Sequence, residues 1–128
     1  MQFDHEKLEV YQRAIDFLVE ADAVVAGLPP GRSYLANQLQ RAALSISNNI
    51  AEGAGEFSKI EKARFYRMSL RSATECAALL DACRRLKLGG DEHAESGRAL
   101  LVRIVSMLTI MVRKLRLSVS AIEPVERD

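Results

Sequence analysis

Tryptophan is missing from this chain and aromatic residues make up only 5% of it, although 48% of its residues are hydrophobic. Apolar content of that kind, rich in Ala and Leu beside many Arg and Glu, favours helices, because strands draw on β-branched and aromatic side chains. Proline occurs only at Pro29, Pro30 and Pro124, so long segments run without a helix breaker. Cysteine occurs only as Cys76 and Cys83, seven positions apart in one helical pattern. On a helix that spacing is roughly 10 Å along the axis, which excludes a disulfide between them and leaves two small buried hydrophobes. A charge-free apolar run is also lacking: the most apolar segment, Leu100 to Leu117, includes Arg103, Arg113, Lys114 and Arg116, which a membrane span would not tolerate. The N-terminus has no basic start followed by an apolar stretch, so no signal peptide is read there. The expectation is a soluble, cytoplasmic protein in a reducing compartment, with no membrane partner.

What is present is helical periodicity. At 128 residues the chain is long enough for one buried core and too short for two, so residues 1–128 read as a single domain. The spacing predicts helices over about 4–26, 33–53, 58–88 and 91–120, with a flexible tail at 121–128. Leu8, Tyr11, Ile15, Leu18 and Val25 form one apolar row on the first helix, and Val10, Ala14, Phe17, Ala21 and Val24 form a second beside it. The second helix carries Ala36, Leu39, Ala43, Ile46 and Ile50; the third carries Met68, Cys76, Leu79, Leu80, Cys83 and Leu86. The fourth carries Leu101, Ile104, Leu108, Met111 and Leu115, with Val102, Ile110 and Leu117 off that face. Ser58 opens a capping box with Glu61, and Asp91 is a cap for the fourth helix. Four long helices joined by short turns give an all-α fold, an antiparallel up-down-up-down four-helix bundle. The surplus apolar rows on helices one and four imply a homo-oligomer, since a lone bundle would leave them in water.

The stretch "SISNNIAEGAGEFSKIEK" interrupts this apolar regularity. Gln38, Arg41, Ser45, Asn48 and Glu52 recur at steps of three and four, with Asn49 beside them, while Ser72 and Glu75 form a smaller polar pair on helix three. The reading favoured here is a mostly buried structural network of Gln38, Arg41, Ser45, Asn49, Glu52, Ser72 and Glu75, with Arg41 pairing to Glu52 or to Glu75 of a neighbour. The pairing is open between one subunit, a subunit boundary and a ligand site. Gly53 and Gly55 are expected to supply backbone angles that a β-carbon penalises.

Catalytic patterns are not found. A carboxylate-bridged metal pair needs Glu-x-x-His twice, and neither His5 nor His93 stands three residues after a glutamate. "GAG" lacks the preceding strand and the terminal Lys-Ser or Lys-Thr of a phosphate loop. Ser45, Ser47 and Ser72 have no histidine at a predictable distance. The expectation is therefore no enzyme, no metal and no cofactor.

"QLQRAALSISNNIAEGAGEFSKIEKARFY", followed by "SATE", resembles the four-helix-bundle family of 23S rRNA intervening-sequence proteins, encoded within insertions in bacterial large-subunit rRNA genes and elsewhere in bacterial genomes. The similarity runs from "LEVYQRAIDF" to helix four, and its most specific part is Gln38, Leu39, Arg41, Ala42, Ala43, Ser45, Ile46, Asn49, Ile50, Ala51, Glu52 and Gly53, with Ser72 and Glu75. The resemblance implies a ring-shaped homopentamer. It also implies kinship with accessory proteins of diversity-generating retroelements, which bind nucleic acid and a reverse transcriptase. Two positions depart from the family pattern: Glu56 stands where a basic residue is common, and Arg71 where glycine often precedes the helix-three serine.

Net charge is only +1, but its distribution is uneven. From Asp4 to Asp22 six acids face two bases; from Lys59 to Lys87 eight bases face three acids; from Arg98 to Arg116 five bases stand without an acid. Arg64, Arg67 and Arg71 share one face, and with Lys62, Arg103 and Lys114 they are the candidate contacts to an RNA or DNA backbone. The competing reading is that acidic helix one pairs with basic helices three and four. Phe65 and Tyr66 point away from the Arg64 face and read as core or interface residues. The favoured function is a non-enzymatic oligomer that binds nucleic-acid backbone; the alternative is a protein-interaction scaffold, with a reverse transcriptase-like protein among its partners.

Overall fold

The backbone of the four helices follows the local signals closely, with instructive exceptions at their ends. The structure is a computed structural model that describes residues 1–122, all helix and connection with no strand among them. After a 3₁₀ turn at Asp4–Lys7 come α1 (Glu9–Ala26), α2 (Ser33–Ala54), α3 (Lys59–Arg85) and α4 (Asp91–Ile122). The first helix expected from residue 4 is thus split, because Leu8 is extended with φ −90° and ψ 126°. Of the tail expected at 121–128, Ala121 and Ile122 are helical and the remainder lies outside the described residues.

α3 stops three residues before the expected end. Leu88 N–H donates to Cys83 O at 2.9 Å and Lys87 N–H to Arg84 O at 3.0 Å, which together close a Schellman turn. Glycine usually holds its left-handed position, but here Lys87 does, with φ 57°. That conformation costs a non-glycine residue about 1–2 kcal/mol, and the half-buried Leu88 packed on the core offsets it. At the other end, the Ser58 hydroxyl accepts the Glu61 amide at 3.3 Å, as expected, while the Glu61 carboxylate turns to Arg64. Asp91 is the first helical residue of α4, with Glu92 beside it in the positive first turn.

Each helix packs against two others: α1 and α3 both contact α2 and α4, while neither diagonal pair meets among the described residues. The arrangement is consistent with a four-helix bundle. Its core takes the second α1 row, Val10, Ala14, Phe17, Ala21 and Val24, in full. The first row is half-buried at the flank. On α4, Leu101, Ile104, Leu108 and Val112 are buried, and Val102, Ile110 and Leu117 are exposed as their off-face position implies. α3 differs from expectation. Cys76, Leu79, Leu80 and Cys83 are buried as expected, but Met68 and Leu86 are exposed, and Ala63, Tyr66, Ser69 and Ala73 are buried in their stead. In the first half of α3 small residues are buried where the helix packs closely on its neighbours, so there hydropathy alone misplaces the core line.

Gly53 shows how close. It is helical and buried, and a β-carbon built on it would lie 2.6 Å from Tyr66 Cε1, 2.8 Å from Tyr66 Cδ1 and 3.2 Å from Phe65 Cβ. Gly55, the residue capping α2, has φ −84° and ψ −6°, ordinary right-handed angles. The expectation that these glycines supply unusual backbone angles is therefore corrected; positive φ belongs to Gly31, Gly89 and Lys87. Gly53 makes room for the Tyr66 ring.

Gly53→Val is expected to lower stability in urea unfolding by about 2–3 kcal/mol through overpacking. Placing the same substitution in a Tyr66→Leu background should make it cost less, since the ring atoms are gone. Equal costs in both backgrounds would return the explanation to the backbone.

Candidate functional site

The polar stretch of α2 resolves into two groups. Toward α3, Asn49 Nδ2 donates to Ser45 O and to Ser45 Oγ, both at 2.9 Å, and Ser72 Oγ donates to Ser45 Oγ at 2.8 Å. Deeper in the same contact, Ser69 Oγ donates to Ile46 O at 2.8 Å; the buried Ser47 bonds within its own helix, to Leu44 O. Toward solvent, Gln38, Arg41, Asn48 and Glu52 are exposed, as is Glu75 on α3. Among the described residues none of Arg41, Glu52 and Glu75 forms an ion pair within the chain. Within one subunit the expected buried network therefore contracts to Ser45, Asn49 and Ser72. The stripe lies at the edge of the apolar row, and only its short members reach between the helices.

The basic candidates also divide. Lys62 Nζ donates to Gly53 O at 2.8 Å and Ala54 O at 3.0 Å, closing the last carbonyls of α2 with a cation. Arg64 Nε is 2.6 Å from Glu61 Oε2, and its guanidinium lies 4.7 Å from the Phe65 ring centroid, so Phe65 does not point away from Arg64 as its spacing suggested. Arg103 Nη2 is 2.6 Å from Glu9 Oε1, and His93 Nδ1 is 2.7 Å from Glu20 Oε2. Two acids of α1 thus pair with α4, as the competing reading expected. Arg67, Arg71 and Lys114 are exposed, and no ion pair holds them among the described residues.

Arg67 belongs to a groove at the end of the molecule where α3 begins and α4 ends. Its walls are Lys59, Ile60, Ala63 and Arg67 of α3 with Leu115, Arg116, Val119 and Ser120 of α4, around about 430 Å³. Lys59 Nζ donates to Ser118 Oγ, which holds that ammonium across to α4. Among the described residues three cations and no carboxylate line it, over an apolar floor. Lys59 and Arg116 were not singled out from sequence. The signal was the run Lys59, Ala63, Arg67 at steps of four, which puts both cations on one line. A second groove of about 460 Å³ lies between α1 and α2, lined by Leu18, Val19, Ala21, Asp22, Gln40 and Leu44.

Burial pushes the Cys76 thiol up to about 12, with the charge of Glu75 adding to it, and burial raises Cys83 and the Tyr66 phenol as well. Neither thiol is poised as a nucleophile. Among the described residues no group of three or more His, Cys, Asp or Glu is placed to hold a metal, and no helix is long and apolar enough to cross a membrane.

The comparisons agree with one another. A crystal structure from Bacteroides thetaiotaomicron VPI-5482, described as a protein with unknown function from the S23 ribosomal protein family, superposes with a TM-score of 0.73 at 21% identity. The match covers 80% of this chain and 97% of that one, and at this identity it speaks for the fold alone. Curated proteins give no match. Residues 6–110 match the family described as "23S rRNA-intervening sequence protein". With most of its length inside that match, the chain belongs to the 23S rRNA-intervening sequence protein family.

Proposed function

We propose that this protein is a non-enzymatic homo-oligomer whose basic groove binds the phosphate backbone of RNA or DNA. One observation carries the reading: the groove between the start of α3 and the end of α4 gathers Lys59, Arg67 and Arg116, with no carboxylate in its lining among the described residues. Clustered cations without counter-charges gain most from polyanions, because each neutralised phosphate releases condensed counterions. Arg71 and Lys114 extend the exposed positive surface. Lys62, Arg64 and Arg103 are left out of it, since each is already engaged inside the chain.

The helices run as an antiparallel up-down-up-down bundle in this reading. Support comes from paired contacts of opposite numbering: Ile46 with Ser69 and Gly53 with Lys62, Glu9 with Arg103 and Glu20 with His93. Copies associate, a ring of five being the arrangement that the sequence resemblance suggests. The apolar groove between α1 and α2, with Val19 and Leu44 exposed, supplies surface for it. The same groove favours a second reading, a scaffold that docks another protein there and binds no nucleic acid.

Arg67→Ala and Arg116→Ala should each weaken binding to a generic RNA and reduce the slope of log affinity against log salt by about 1. Arg64→Ala and Arg103→Ala should leave that slope unchanged. Affinity that stays flat between low and moderate salt leaves the scaffold.

Arg41→Ala tests the exposed half of the polar stripe. It should shift monomer stability by less than about 0.5 kcal/mol, as an exposed substitution does, yet displace sedimentation toward smaller species. Unchanged assembly would free Arg41 for a ligand instead.

A further inference from the structure

We infer that Phe57 is a stacking platform for an unpaired nucleobase, so that the basic groove takes single-stranded nucleic acid in preference to duplex. The inference rests on the backbone-binding reading above. Phe57 is 102% exposed, so its ring touches essentially nothing in its own chain. One exposed apolar side chain calls for no explanation by itself. Phe57 differs in its mounting and its neighbours.

The mounting is a short turn tied at both ends. Gly55 N–H donates to Ala51 O and Glu56 N–H to Gly53 O, both at 3.2 Å, while Ser58 caps α3 and its carbonyl accepts from Lys62 N at 2.8 Å. The backbone that carries the ring is therefore held in place, with little backbone entropy left to lose on binding. Its neighbours are the groove walls. Lys59 is two residues on, within about 7 Å between α-carbons by chain geometry, and Ile60 follows it on the same wall.

A strand lying along Lys59, Arg67 and Arg116 would bring its bases past the turn. An unpaired base presents a π-face that a ring can cover, whereas duplex bases are already stacked on one another. A protein hot spot is a poorer fit, because such anchors sit inside a rim of contacts that excludes water. Here the adjoining residues in sequence are Glu56 and Ser58. The other aromatic residues of this region are not available: Tyr66 is buried and Phe65 lies under Arg64.

The test uses the full chain with three probes: a uridine 20-mer, an RNA duplex of the same length, and heparin, which is a polyanion without bases. The wild type should prefer the single strand. Phe57→Ala should weaken binding of the 20-mer about tenfold, as loss of one stacked base does, and leave heparin and duplex binding and the melting temperature unchanged. Phe57→Trp would be the only tryptophan of the chain, and the 20-mer but not heparin should quench its fluorescence. If Phe57→Ala binds the 20-mer as the wild type does while heparin still binds, stacking is refuted and the backbone reading stands. Absence of binding to all three probes refutes both. Loss of self-association in Phe57→Ala with 20-mer binding intact would also overturn the inference, by assigning the ring to a contact between copies.

Discussion

The close approach of α2 and α3 is the constraint on which the remaining geometry hangs. Gly53 omits the β-carbon that would strike Tyr66, and the small, fully buried Ser69 faces Ile46 across the same seam. At this separation a serine hydroxyl can bridge from one helix to the other's backbone. Ser69 does so at Ile46 O, fully buried. A buried hydroxyl that lost its acceptor would cost about 1–3 kcal/mol, so the bond opposes sliding as well as separation. Ser45, Asn49 and Ser72 repeat the logic nearer the surface. The polarity that interrupts the apolar rows is thus the register mark of the α2–α3 seam.

That register decides which cations are free. With Tyr66 seated against Gly53, Lys62 arrives beneath the last carbonyls of α2 and spends its charge there. Lys59, one turn earlier, instead faces α4 and meets Ser118. Acids of α1 draw Arg103 and His93 to the opposite side of α4. Exposed pairs of this kind stabilise by at most about 1 kcal/mol. Their larger consequence is distribution: among the described residues, acids pair with α4 along the α1–α4 seam, and no carboxylate lines the groove where α3 begins and α4 ends. A nearly neutral chain thereby acquires a locally basic groove.

Much of the fold was legible. Val10, Ala14, Phe17, Ala21 and Val24 recur at helical steps and are all buried; Val102, Ile110 and Leu117 fall off the α4 face and are exposed. Ser58 followed by Glu61 marked a helix start, and a hydroxyl cap stands there. The α3 core was less legible, because Ala63, Ser69 and Ala73 rank below Met68 and Leu86 in hydropathy and win by size. The end of α3 was missed because a lysine took the left-handed position usually reserved for glycine. The candidate site was legible only as a set of cations, and half of that set proved to be engaged elsewhere.

What the sequence determined by itself was local: helical content, the buried faces of α1 and α4, and membership of the family through residues 6–110. Periodicity carries such information because a helix brings neighbours three and four apart onto one face whatever surrounds it. What only the tertiary structure decided was relational. Whether Gly53 serves the backbone or a tyrosine ring depends on a residue thirteen positions away, and whether Arg103 is free depends on Glu9, in another helix. A charge is available to a partner only if no opposite charge lies within a few ångströms, and distances between helices are set by how their side chains pack.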